Sequence, residues 1–262
     1  MIECTWEERA ALSPLFQEVT DTMVISCLQG HMGRAWADTL ASPQSARIVT
    51  GDFCYLAGKP DRELASVFPV EWNGRVLLFA DPPAGWTEML KEHYGSQVFR
   101  FTRFAFQRDS SGFDRESLQK MANRLPEGYE LRGMDEDICR MALELPWAKD
   151  FLVNFHSTAD FCKRGMGVAA LADGELCAGA SSYSIYDGGI EIEIDTAPAY
   201  RKKGLARACA AALILRCLEK GIYPNWDAAN RISLHLALSL GYRLEREYDT
   251  YSIQIGSDAD EP

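Results

Sequence analysis

The chain has 262 residues, 47% of them hydrophobic, and a formal net charge of -11. This composition supports packed cores in one large or two ordinary domains and excludes a chain disordered throughout. The acidic balance disfavours nucleic acid as main partner, because phosphate backbones select basic surfaces, and no apolar run reaches the length of a membrane span.

The N-terminal stretch carries Glu3, Glu7 and Glu8 and no apolar h-region, so no secretory signal and a cytoplasmic location are expected. Cysteines stand at 4, 27, 54, 139, 162, 177, 209 and 217, with no C-x-x-C pair and no Cys/His cluster. Reduced thiols are therefore expected, with neither a disulfide framework nor a metal site.

Patterning in the first half predicts helices over Thr5–Gln17 and Asp21–Gln29, the second stopped by Gly30. Short apolar runs at Ala46–Thr50, Phe53–Ala57 and Val76–Ala80 read as strands, Thr87–His93 as a helix, and the aromatic Gln97–Phe106 as a long strand. Polar, turn-rich Arg108–Gly112 then punctuates the chain. The organisation expected is an N-terminal α/β domain over residues 1–112, a linker with a helix over 113–127, and a second domain over 128–262. No internal repeat stands out.

In the second half, Glu130–Arg132 reads as a strand, Asp135–Leu145 as a helix, and Ser157 caps a helix ending near Gly165. Val168–Ala172, Cys177–Tyr186 and Ile190–Thr196 form an antiparallel meander whose turns carry Asp173-Gly174 and Asp187-Gly188, a pairing that hairpins favour. A helix running to Lys220 and stopped by Gly221 follows, then a strand at Ile222–Trp226. Between Asn230 and Gly241 the apolar residues alternate, as in a strand. The capping Asn230, the terminal glycine and the polar stripe Arg231, His235 and Ser239 favour a helix. Tyr242–Ile255 is the last strand region. The predicted order is β-α-α-β-β-β-α-β-α-β, a mixed and mostly antiparallel sheet flanked by helices.

The stretch Tyr200–Gly204 places three cations and a glycine between a strand and a helix. The first N–H groups of a helix lack internal partners and carry partial positive charge, so such an end attracts anions. A diphosphate suits it; so does plain solvation of a basic helix start. Neither G-x-G-x-x-G nor G-x-x-x-x-G-K-[ST] occurs, which removes the main support for dinucleotide and P-loop readings.

The segment RKKGLA, Arg201–Ala206, matches the R/Q-x-x-G-x-G/A signature of the GNAT superfamily of N-acetyltransferases, and NRISLHLALSLGY, Asn230–Tyr242, resembles that superfamily's second signature. With GDFCYLAG and YPNWDAANRISL, the whole is similar to the two-domain branch that contains zwittermicin-resistance-type acetyltransferases. The resemblance implies acetyl-CoA as acyl donor. Its diphosphate would lie against the N–H groups of Lys202, Lys203, Gly204, Leu205 and Ala206, with charge from Arg201. Its pantetheine arm would lie along the main chain of Ile194, Asp195 and Thr196, and Asn230 and Ser233 would face it.

Transfer to an amine needs a base for the ammonium and a proton for the departing thiolate. Glu191 and Glu193, on one face of the strand with Asp195, are the candidate bases. Many superfamily members place a tyrosine seven residues after the motif asparagine; here that position is Ala237. Tyr242, Tyr248 and Tyr251 are the possible substitutes, with His235 the weakest, and an active but acid-poor transferase is expected. The function expected is acetylation of a primary amine on a small molecule, with no metal. The alternative is a non-catalytic acyl-CoA-binding sensory or regulatory module.

Overall fold

The computed structural model describes residues 1–256, and its contacts divide the chain into two compact units. The first is residues 1–103 joined by the C-terminal segment from Glu247; the second is Phe104–Arg246. This differs from the expected boundary at 112/113. Within the second unit, Gln107 N–H donates to Arg243 O, Arg243 pairs with Asp109 at 3.1 Å, and Gly112 lies against Gly241, which ties residues 104–112 to it. The C-terminal strand instead pairs with a strand of the first unit.

The first unit contains β1 (Ile2–Glu3), a 3-10 helix (Arg9–Phe16), α1 (Thr22–Leu28), β2 (Arg34–Ala37), β3 (Ser45–Thr50) and β4 (Phe53–Gly58). After these come α2 (Arg62–Ser66), β5 (Val76–Ala80), α3 (Ala84–Tyr94) and the start of β6 (Phe99–Phe106). The expected helix over Thr5–Gln17 is only the 3-10 segment, which contains Pro14; proline lacks an N–H and clashes with the preceding turn of an α-helix. Asp21 and Asp61 cap α1 and α2 with their carboxylates. Strand neighbours run β1-β2-β3-β4-β5, antiparallel except for the parallel pair β4–β5. Thr250–Gln254 of the C-terminal strand add beyond β5. Trp36, Leu56, Leu77, Phe79, Trp86 and Ile253 belong to the core of this unit.

The second unit continues through α4 (Arg115–Ala122), β7 (Tyr129–Gly133), α5 (Glu136–Glu144), α6 (Thr158–Arg164), β8 (Gly167–Ala172), β9 (Glu175–Tyr186) and β10 (Gly189–Thr196). It ends with α7 (Leu205–Glu219), β11 (Tyr223–Asn225), β12 (Asp227–Ala228), α8 (Arg231–Leu240) and the start of β13 (Leu244–Gln254). The helix over the alternating leucines is therefore confirmed. Asn230 Oδ1 accepts the N–H groups of Ile232 and Ser233, both at 3.0 Å, and Gly241 stops the helix at φ +107°. Strands run β7-β8-β9-β10-β11, antiparallel except for parallel β10–β11. Helix α7 packs on β8, β9 and β10 and against α4. Its Ala208, Ala210 and Ala211 are fully buried, so the backbone lies close to the sheet, while Leu213 and Ile214 each contribute roughly 1.5–3 kcal/mol by burial. No helix among the described residues is long and apolar enough to cross a membrane.

Candidate active site

The site is built where two parallel strands part. β10 and β11 are in register only from Gly189↔Tyr223 to Glu191↔Asn225. One residue later the chain has turned at Trp226, and Asp227–Ala228 pair with Ala105 and Phe104 of β6. β10 runs on to Thr196, so past Glu191 no strand among the described residues covers that edge. Ala197 N–H donates to Cys177 O on β9. By strand alternation the peptide groups of Ile194 and Thr196 then point the other way, into the gap. Thr196 has local partners there: its N–H donates to the Asp195 carboxylate at 2.6 Å and its C=O accepts from Arg201 Nε at 3.2 Å. Ile194 has none among the described residues.

The loop beyond β10 is shaped by two left-handed residues, Lys202 at φ +62° and Gly204 at φ +84°. Alternating backbone hands of this kind turn successive N–H groups to one side, an anion-binding nest. Among the described residues, the N–H groups of Lys202 through Ala206 have no acceptor in the protein. A Cβ built on Gly204 would meet nothing within 4 Å, so a ligand can approach the backbone there. Such a cradle at the N-terminus of the long helix α7 fits a diphosphate. The side-chain charges are deployed unequally. Arg201, Lys202 and Lys203 are all exposed, but Lys203 Nζ donates to the Tyr129 hydroxyl at 2.8 Å and lies over the rings of Tyr129 and Tyr200. Leu205 is buried and anchors the helix start.

On α8, Asn230 spends its oxygen on the cap, leaving its amide nitrogen without a partner among the described residues. Ser233 Oγ accepts the indole N–H of buried Trp226 at 3.0 Å, so its first role is to hold the turn that parts the strands. Ala237 is fully buried, and His235 is exposed.

Glu191, Glu193 and Asp195 share a face of β10, opposite Ile190 and Ile192. Glu193 is half-buried and stands across from Ser181. Glu191 is only 4% exposed, and its Oε2 accepts from Asn225 Nδ2 at 2.6 Å. Its cross-strand neighbour Ser184 is fully buried, and neither its hydroxyl nor the buried hydroxyl of Tyr186 has a hydrogen-bond partner among the described residues. Burial pushes the Tyr186 phenol well up, and that of neighbouring Tyr223 up to about 12. Asn225, Ser184 and Tyr186 belong to no signature. The one trace in the sequence is the run of polar residues from Ser181 to Ser184 inside an otherwise apolar strand. Among the described residues no group of His, Cys, Asp and Glu is placed to hold a metal ion.

Tyr242 is tied to β11. Its hydroxyl donates to Pro224 O at 2.5 Å, and its ring packs against Phe106, Phe113 and Trp226. Burial holds its phenol far above the ordinary tyrosine range. Such a hydroxyl is committed to a carbonyl and poorly suited to supply a proton. Tyr251 belongs to the core of the first unit, and Tyr248 is buried on β13.

Comparison with known proteins agrees with this geometry. A model of the GNAT acetyltransferase family matches residues 13–251. The uncharacterized N-acetyltransferase YdfB of Bacillus subtilis (strain 168) is 28% identical over 263 residues, covering 95% of this chain and 97% of YdfB. The crystal structure of a GCN5-related N-acetyltransferase-like protein from Streptococcus suis 89/1591 is 38% identical with a TM-score of 0.87, covering 94% of this chain and 98% of that one. A tandem GNAT protein from the clavulanic acid biosynthesis pathway is similar in fold, with 12% identity, a TM-score of 0.56, and 98% and 96% of the two chains covered. The strand gap, the glycine loop and the family match over most of its length together show that the chain belongs to the GNAT acetyltransferase family, N-acetyltransferases that take the acetyl group from acetyl-CoA.

Proposed function

We propose that the chain acetylates a primary amine on a small molecule, with acetyl-CoA held by the second unit. The observation that carries this reading is the nest at Lys202–Ala206: a row of N–H groups without acceptors among the described residues, beside a glycine whose open face a Cβ would fill. These N–H groups hold the diphosphate, and Arg201 and Lys202 add charge. The free edge at Ile194–Thr196 takes the pantetheine arm as an added strand, and the Asn230 amide faces the cofactor, with Ser233 supporting the turn behind it. When bound, acetyl-CoA supplies the acetyl group as an activated thioester.

Of the two carboxylates, Glu193 is the base. It is half-buried and two residues nearer the free end of β10, whereas Glu191 is buried and holds Asn225. Glu193 takes a proton from the acceptor's ammonium group; Glu191, Asn225 and Ser184 orient that group. Tyr242 has a structural role in this scheme, and Ala237 leaves α8 without a phenol, so the enzyme is acid-poor. A departing thiolate tolerates this, because the ordinary thiol pKa of about 8.5 lies close to working pH. The reaction needs no metal, and the acidic chain takes no nucleic acid. A cytoplasmic site of action and kinship with the zwittermicin-resistance branch complete the reading; the two-unit layout and the segments GDFCYLAG and YPNWDAANRISL support that kinship.

The test is a screen of small amines with acetyl-CoA, read as release of free thiol. Turnover with a primary amine supports the proposal. Binding of acetyl-CoA without turnover on any amine class would favour a sensory module instead.

A further inference from the structure

The two units repeat one topology that no residue pattern in the sequence announces. In each, a four-strand antiparallel run, β1-β2-β3-β4 or β7-β8-β9-β10, is followed by a fifth strand parallel to the fourth, β5 or β11. Helical segments separate the first two strands, one helix joins the parallel pair (α2 or α7), and one helix follows it (α3 or α8). The sixth strand is exchanged: β13 adds to β5, and the end of β6 adds to β12.

β4 therefore stands where β10 stands, and its edge can be compared residue by residue. β4 and β5 are in register only at Phe53↔Leu78 and Cys54↔Phe79, so β4 too outruns its parallel partner. Lys59 N–H donates to Gln44 O, so by alternation Leu56 and Gly58 turn their peptide groups to the free side. That side is filled. Trp86, fully buried on α3, donates its indole N–H to Gly58 O at 3.1 Å.

The loop is closed as well. Lys59 has both peptide groups engaged, its C=O accepting from Ser45 Oγ at 2.6 Å. Pro60 has no N–H, and its ring lies 2.8 Å from where a Cβ of Gly85 would sit. A Cβ on Gly58 would fall 2.0 Å from Gln44 O, whereas one on Gly204 meets open space. Asp61 caps α2 with its own carboxylate through Leu64 N–H at 2.9 Å, and Glu63 adds a second acid to that first turn. Lys59 and Arg62 balance these two acids, so the start of this five-residue helix offers an anion no net positive charge and a capped N-terminus.

We infer that the first unit is a second copy of the acetyltransferase fold whose donor cleft is sealed by Trp86 and Asp61, so that the chain loads one acyl-CoA and performs one transfer per molecule. This rests on the donor reading of the second unit. Two measurements on the full chain separate the claims: equilibrium dialysis with labelled acetyl-CoA, and hydrogen exchange followed by mass spectrometry at saturation. One equivalent bound, with slowed exchange across Ile192–Cys209 and unchanged exchange across Phe53–Ser66, is expected. A second equivalent, or slowed exchange across Phe53–Ser66, overturns the sealed cleft whatever happens at Ile192–Cys209. Unchanged exchange across Ile192–Cys209 with one equivalent bound overturns the donor reading instead.

Discussion

The strand–loop–helix segments Phe53–Ser66 and Ile190–Glu219 occupy the same place in two copies of one topology, and they differ in nearly every feature that decides anion binding. In the second unit the N–H groups of Lys202–Ala206 lack acceptors among the described residues, the loop's glycine faces open space, its charges are basic and its helix is fifteen residues long. In the first, the N–H donor of Lys59 is spent, proline removes another, the charges of Lys59, Asp61, Arg62 and Glu63 cancel and the helix has five residues. A shared fold thus supplies the gap between parallel strands, and the local residues decide whether the gap is a site. Trp86 shows the difference in one side chain: it completes a core where the other copy leaves an edge.

The contrast can be broken by substitution, and the largest effect is expected in catalysis. Glu193→Gln keeps the shape and removes the base; turnover should fall by about 10²–10⁴-fold, with acetyl-CoA affinity retained. Steady-state rates across pH on an identified amine check this, and unchanged rates would move the base elsewhere. Next come the buried polar anchors. Trp86→Phe leaves Gly58 O without its donor and Asn225→Ala leaves Glu191 without its amide, each costing about 1–3 kcal/mol in denaturant unfolding. Only the Asn225 variant should also slow turnover. Last are the caps: Asp61→Ala and Asn230→Ala should each cost about 1 kcal/mol of stability. Only Asn230→Ala should weaken acetyl-CoA binding, which sharpens the comparison, since equal loss of cap energy separates structural from ligand-facing ends.

What could be read from the sequence was local. Asp135, Ser157 and Asn230 bond N–H groups two or three residues onward, so cap and helix announce each other. Gly204 was legible for the same reason, because a left-handed residue at a helix start has a short-range signature. The duplication was not, because topology survives while residue identities diverge. Nothing in DRELAS resembles GLARAC, although both open the helix after the fourth strand. The strand exchange was equally hidden: β13 pairs with β5 more than 160 residues away, and no periodicity encodes a distant partner. That Tyr242 is a poor acid was also hidden, because its fate is set by Pro224 and three aromatic rings brought from other elements. Asn225 and Ser184 gain meaning only once β9, β10 and β11 lie side by side.

In the proposed reaction the donor's diphosphate lies on the backbone at Gly204. Gly204→Val is the most direct test of this placement, because a Cβ there fills the open face and a side chain at φ +84° also strains the loop that presents the N–H groups. The measurement is a calorimetric titration with acetyl-CoA of this variant beside Trp86→Phe, each first shown to be folded by its cooperative thermal transition. Binding should be at least about ten-fold weaker for Gly204→Val, equivalent to about 1.4 kcal/mol, and unchanged for Trp86→Phe. Wild-type affinity in a folded Gly204→Val protein would contradict this placement.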